Sequence, residues 1–194
     1  RLNGRGVLVG VIDTGIDYLN KEFQMEDDTT RIVRLWDQTI QGDTNIYGLK
    51  YGTEYTEEQI NQAISLQTSG GDPYSIVPSK DEIGHGTKVS GIIGGRGINP
   101  DLKGAAPDCK FVIVKLSRAT KVELDASLID KTDVPSYSPW SVFLGIRYVV
   151  SVARELNKPL VIFIPLGGNM GSHTGNGINE GLIDNYSTKQ QLSL

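Results

Sequence analysis

Cysteine is nearly absent from the sequence, because Cys109 is the only one among its 194 residues. A single thiol excludes a disulfide within the chain, and it excludes a zinc site built from several thiolates. Cys109 is therefore expected to pack as a small, buried apolar residue.

Long apolar runs and clusters of one charge are also lacking. No stretch is apolar over the length needed to cross a membrane, so no membrane segment is expected. The net charge is -4 with both signs mixed along the chain, which argues against a nucleic acid partner. Residues Arg1 to Gly6 lack the apolar core of a signal peptide, so any export signal or pro-segment is expected outside this sequence.

Short apolar runs separated by turns are what the sequence does contain. Val7 to Ile12 is continuously apolar and rich in β-branched residues, which is typical of a strand buried on both faces of a parallel sheet. Three further strands are predicted over 31–36, 111–116 and 160–164.

Helical signals lie between these strands. Thr56 and Gln59 have the spacing of a capping box, within a region that is otherwise rich in loops as far as about residue 81. Further helices are predicted from His85 to the Gly94–Gly95 pair, from Ser138 or Ser141 to about Asn157, and around 181–189. Alternating strands and helices predict an α/β protein with a mostly parallel, doubly wound sheet in three layers.

Asp13 follows the first strand directly, in an Asp-Thr-Gly turn. Reacting groups gather at the carboxyl ends of strands in such sheets, where a rigidly aimed carboxylate can orient an imidazole. The alternative is that Asp13 merely caps its own turn. Aspartic proteases also use Asp-Thr-Gly, but they need two copies and are all-β, whereas this chain has one copy and clear helices.

His85 lies in Gly84-His85-Gly86-Thr87, at the start of a predicted helix. A histidine there can act as a general base toward a hydroxyl nucleophile, or it can simply lie at the helix start without any chemistry. The glycines that follow do not have the spacing or position of a dinucleotide-binding loop, since they come after the helix.

Four motifs in order resemble those of the subtilisin-like serine protease (subtilase) family. Residues 6–17 resemble its aspartate motif, and residues 84–93 resemble its histidine motif. Gly104 to Pro107 resembles the connector that follows the histidine helix, and Leu166, Gly167 and Gly168 resemble the strand end that binds substrate backbone. The resemblance implies a subtilisin-like fold, catalytic roles for Asp13 and His85, and protein or peptide substrates.

Residues 31–38, 51–61 and 169–175 resemble, in particular, the Csp-type group of germination proteases. This resemblance implies a bacterial protein that is secreted or spore-associated. Residues 1–194 are then expected to form the N-terminal part of one truncated catalytic domain, with an insertion at about 38–82.

Three positions depart from the family pattern. Lys88 stands where a second histidine is usual, Ser90 where alanine is usual, and Pro165 where serine is common. Proline has no amide N–H, so Pro165 would remove one hydrogen bond if that position faces substrate or a neighbouring strand.

The nucleophile of the family is not found in this sequence. The family order is aspartate, histidine and then serine in a Gly-Thr-Ser context, and no Gly-Thr-Ser occurs among the 194 residues. Ser172 beside His173 is a poor substitute, because adjacent residues rarely form a productive pair. The chain alone is expected to be inactive, and the alternative for its parent is a pseudoprotease with a regulatory role.

No cofactor is expected to be required for the chemistry. Calcium stabilises many subtilases, but the acidic run Glu26, Asp27 and Asp28 does not have the spacing of a metal loop. Self-association through an exposed sheet edge is also expected.

Overall fold

In a computed structural model of the chain, the structure describes residues 2–42, 44–46, 48–129, 135–167 and 174–191. The strands are β1 (Leu8–Asp13), β2 (Ile32–Asp37), β3 (Asn45–Ile46), β4 (Leu49–Lys50), β5 (Thr53–Thr56), β6 (Lys110–Lys115) and β7 (Leu160–Phe163). The helices are α1 (Glu57–Thr68), α2 (His85–Gly94), α3 (Lys121–Ala126), α4 (Pro139–Glu155) and α5 (Ile178–Gln191).

Five of the described strands form one sheet in the order β5-β2-β6-β1-β7. The β2-β6, β6-β1 and β1-β7 pairs are parallel, and β5 is added antiparallel to β2. Among the described strands, the short β3 and β4 pair with each other and with no other strand. The predicted α/β class with a mostly parallel sheet is confirmed.

Helices cover both faces of this sheet, because successive side chains of each strand point to opposite sides. Val9, Val11 and Ile113 pack on one face with residues of α1 and α2. Ile12 and Val114 pack on the other face with residues of α4. Since Asp13 shares the parity of Val9 and Val11, its side chain lies on the face that carries α2.

Most predicted elements are present with small shifts at their ends. The capping box of Thr56 and Gln59 is formed in both directions and opens α1. Ser138, one of the two candidate caps, accepts a hydrogen bond from the Trp140 amide at the start of α4. No described helix has both the length and the apolar character needed to cross a membrane.

Four short elements were not predicted, namely β3, β4, β5 and α3. The strand β5 reads as a loop because only Tyr55 of its four residues is buried, as befits a short edge strand of the described sheet. The helix α3 begins at a second capping box, formed by Thr120 and Glu123. The spacing of these two residues in the sequence could have predicted the start of this helix.

Candidate active site

Three neighbouring parallel strands end in charged side chains at the same edge of the sheet. Asp13 of β1 is in register with Lys115 of β6, which is in register with Asp37 of β2. All three residues are buried. A buried cluster of charge at the carboxyl ends of parallel strands is the arrangement expected of a reaction centre in this class of fold.

Asp13 and His85, 72 residues apart, are brought into direct contact there. The His85 Nδ1 atom lies 2.9 Å from both carboxylate oxygens of Asp13. The Asp13 Oδ1 atom also accepts the Thr14 amide N–H at 2.6 Å, which fixes the plane of the carboxylate. Asp13 is fully buried whereas the His85 side chain is 47% exposed, so the carboxylate orients the ring and the other ring nitrogen remains available.

The glycines on each side of His85 allow this contact. Gly84 has φ +79° at the N-cap of α2, a left-handed conformation that a side chain would strain. A Cβ atom on Gly86 would collide with the Gly15 carbonyl oxygen, so only glycine lets α2 approach the Asp13 turn this closely. Gly84 thus provides the left-handed residue before α2, and Gly86 allows the close packing of two backbone segments.

Asp81, which was not predicted as a site residue, lies between the two motifs. It accepts hydrogen bonds from the Thr14 hydroxyl on one side and from the Thr87 hydroxyl and amide on the other. Its position four residues before His85, at the positive end of a helix, was the only signal in the sequence.

Lys115 was missed as well, because a lysine at the end of an apolar strand reads as a solvated end. Its Nζ atom lies 3.6 Å from Asp37 and donates to the Lys80 carbonyl oxygen at 2.7 Å and to Glu82 at 2.9 Å. The Ser79 hydroxyl also donates to Asp37, at 2.6 Å. Lys115 thus compensates a buried carboxylate and holds the segment 79–82 against the sheet.

The predicted substrate-binding residues follow β7, the neighbour of β1 in the sheet. Leu166 is partly buried against the core on the α4 face, and Gly167 is exposed. Gly168 lies outside the described residues, as do Ser172 and His173. The pairing of β7 with β1 ends at Phe163, so Pro165 interrupts no hydrogen bond of that strand pair.

The other two departures lie on α2. Lys88 is exposed, in the first turn of α2. Ser90 is buried, and its hydroxyl has no hydrogen-bond partner among the residues that the structure describes. Where the family usually has alanine, this chain therefore has a hydroxyl that loses its hydration on burial and gains no hydrogen bond from a described residue.

No cluster of three or more histidine, cysteine or acidic residues suited to a metal ion occurs in the part of the chain that the structure describes. In the acidic run, Asp27 accepts hydrogen bonds from Thr29, and Asp28 lies 3.5 Å from Lys21. Burial raises the pKa of the Cys109 thiol to about 11, which makes it unreactive and confirms its predicted place in the core.

Comparisons with known proteins identify relatives of this chain. Residues 4–133 match the model of the subtilase family, Peptidase_S8. Over 120 residues the chain is 32% identical to a PII-type proteinase of Lacticaseibacillus paracasei, a match that covers 60% of this chain and 6% of that protein. The solved structure of the Clostridium perfringens CspB protease is similar with a TM-score of 0.76 and 33% identity, over 96% of this chain and 34% of that one. The chain therefore spans only part of the length of either relative.

Proposed function

This chain belongs to the subtilase family of serine-type peptidases, and on that premise we propose that it supplies the aspartate and histidine of an endopeptidase site. The observation that carries the proposal is the contact between His85 Nδ1 and the buried Asp13 carboxylate, at 2.9 Å from each oxygen. Because the sequence has no Gly-Thr-Ser, we propose that a part of the protein outside these 194 residues supplies the serine of the triad.

The proposed roles follow from the contacts of each side chain. Asp13 accepts a hydrogen bond from the Nδ1–H group of His85. The Nε2 lone pair is then free to take the proton of a serine hydroxyl as that hydroxyl attacks a peptide carbonyl. As His85 becomes an imidazolium, the Asp13 carboxylate stabilises the new charge across a short hydrogen bond. Leu166, Gly167 and Gly168 would bind the substrate backbone, and the substrate class is proteins or peptides. The chemistry requires no cofactor.

The chain by itself is expected to be inactive, since it has neither the nucleophile nor the donors that stabilise the oxyanion. Each such donor contributes about 100- to 1,000-fold in rate. The test compares the 194-residue chain with the complete product of the gene that encodes it, using a casein hydrolysis assay. We expect hydrolysis by the complete product only.

Three variants of the complete product make this test specific. His85→Ala and Asp13→Ala are expected to lower kcat/KM by about 10⁴-fold or more. Lys88→Ala is the matched control on the same helix, and it should retain activity because its side chain is exposed and contacts neither residue of the pair. Hydrolysis by the isolated chain that His85→Ala abolishes would contradict its proposed inactivity. A folded but inactive complete product would favour the pseudoprotease alternative.

A further inference from the structure

Asp81 accepts four hydrogen bonds, and they come from both motifs of the proposed site. Its Oδ1 atom accepts from the Thr14 hydroxyl at 2.7 Å and from the Gly84 amide at 2.8 Å. Its Oδ2 atom accepts from the Thr87 hydroxyl at 2.6 Å and from the Thr87 amide at 2.8 Å. A carboxylate that only capped α2 would need the two amides and not the hydroxyl of Thr14, which is 67 residues away.

These bonds determine which way each threonine hydroxyl points. A hydroxyl has one proton, and an ionised carboxylate can only accept, so Thr14 and Thr87 must both donate to Asp81. Their oxygen lone pairs are then free to accept from backbone amides. Thr14 accepts the Gly86 N–H of α2 at 2.8 Å, and Thr87 accepts the Asp17 N–H of the opposite turn at 2.9 Å.

The two threonines thus form reciprocal cross-links between the Asp13 turn and the first turn of α2. One link ties Thr14 to the residue after His85, and the other ties Thr87 back to Asp17. We propose that Asp81 is a positioning residue, which fixes the polarity of both cross-links and so holds His85 against Asp13. This inference deepens the proposed function and rests on it.

The charge state of Asp81 agrees with this role. Burial acts to raise the pKa of Asp81, but hydrogen bonds donated by Thr87, Thr14 and Gly84 together outweigh it and leave the pKa below its ordinary value. Asp81 is therefore ionised at neutral pH, where it accepts every bond that it makes.

The variant Asp81→Asn keeps the shape of the side chain and removes this arrangement. Whichever way the amide turns, its NH₂ group faces either the Gly84 N–H or the Thr87 N–H, so two donors meet and one threonine proton must turn away. The milder variant Thr87→Val removes one hydroxyl only. Thr87→Ser keeps that hydroxyl and should restore the parent behaviour.

The readout is the Nδ1 proton of His85, observed by NMR in the histidine-labelled 194-residue chain. The sequence has two histidines, so His173→Gln assigns the signal. We expect Asp81→Asn and Thr87→Val to accelerate exchange of this proton with water at least about tenfold. Losing a hydrogen bond to a charged group changes an equilibrium constant by about that factor or more. Asp27→Asn is the matched control, because Asp27 also accepts an amide and a hydroxyl of one threonine but lies away from the site.

The outcomes separate this inference from the proposed function. Unchanged exchange in folded Asp81→Asn would overturn the positioning role and leave the Asp13–His85 pair intact. If Asp81→Asn fails to fold, unchanged exchange in Thr87→Val would overturn it equally. Acceleration of the same size in Thr87→Ser or Asp27→Asn would do so too, because the effect would then be general. A parent chain without a proton on His85 Nδ1 would contradict the proposed pair itself, and the positioning role with it.

Discussion

Replacement of Asp13 by asparagine should reverse the tautomer of His85, and the geometry shows why. The Thr14 amide lies 2.6 Å from Asp13 Oδ1, so an asparagine must keep its carbonyl oxygen at that place and put its NH₂ group at the place of Oδ2. That place is 2.9 Å from His85 Nδ1. A protonated Nδ1 would then lie against a second donor, whereas an unprotonated Nδ1 would accept from it.

The size of the preference follows from the hydrogen bond that changes. In the parent chain, Nδ1–H donates to a buried carboxylate, and such a bond to a charged group contributes about 1.5–3 kcal/mol. In Asp13→Asn this contribution is lost, and the favoured contact is a neutral bond in the opposite direction. The carbonyl oxygen of the asparagine, at the place of Oδ1, also lies 2.9 Å from His85 Nδ1 and can accept a weaker hydrogen bond from Nδ1–H. We therefore expect the Nε2–H form to exceed the Nδ1–H form by roughly tenfold only.

Long-range ¹⁵N–¹H correlation spectra of the histidine-labelled chain distinguish the two tautomers of a neutral imidazole. We expect Nδ1–H in the parent chain and Nε2–H in Asp13→Asn. Asp37→Asn is the control, because Asp37 is an equally buried strand-end carboxylate that contacts Ser79, Thr39 and Lys115 instead of the histidine. Retention of Nδ1–H as the major form in Asp13→Asn would refute the reasoning. In an active protease the reversed tautomer lowers kcat by about 10⁴-fold.

Four further predictions concern the surrounding structure. In urea unfolding, Gly86→Ala should destabilise the chain by about 1–3 kcal/mol, because the added Cβ atom collides with Gly15. Gly91→Ala, on the same helix, places its Cβ atom near no described atom and should stabilise the chain by about 1 kcal/mol. Equal effects of the two variants would contradict the close approach of Gly86 to Gly15. Ser90→Ala should raise the free energy of unfolding by about 1 kcal/mol, since it removes a buried hydroxyl that no described residue hydrogen-bonds. Burial acts to raise the pKa of Asp81, but its hydrogen bonds outweigh burial and lower that pKa in the folded chain. The ionised carboxylate therefore stabilises the fold above the ordinary pKa of an aspartate, and this stabilisation is lost as the pH falls through the lowered pKa. Asp81→Asn should accordingly make the free energy of unfolding less dependent on pH in the acid range. The described sheet ends at β7, where Val161 is 56% and Phe163 37% exposed. Light scattering should therefore show a molar mass of the chain that increases with its concentration, and the increase should be smaller for Val161→Lys. A molar mass that stays at the monomer value would exclude this self-association.

The two motifs could be predicted because the signal for each is local. The β-branched run before Asp13 determines a buried strand, and the Gly-His-Gly turn before an apolar helix places His85 at its start. The contact between them was inferred from their order and from the rule that strand ends gather reacting groups. The roles of Asp81 and Lys115 could not be predicted, because each depends on partners far along the chain that no local pattern identifies. The antiparallel addition of β5 to β2 was hidden for the same reason, since its polar sequence contains nothing that selects a neighbour.

The segment 79–82 explains how the buried edge of the sheet and the exposed histidine are held as one unit. Ser79 donates to Asp37, Lys115 binds the Lys80 carbonyl and the Glu82 carboxylate, and Asp81 binds the threonines of both motifs. Each residue of this segment therefore binds either the end of a strand or the start of α2. Lys115 ends the strand next to that of Asp13, and Asp37 ends the strand after it. A displacement of α2 would therefore also have to break the bonds of this segment to the sheet. The position of His85 is thus determined by three strand ends and one loop, and its contact with Asp13 is one of several bonds that fix it.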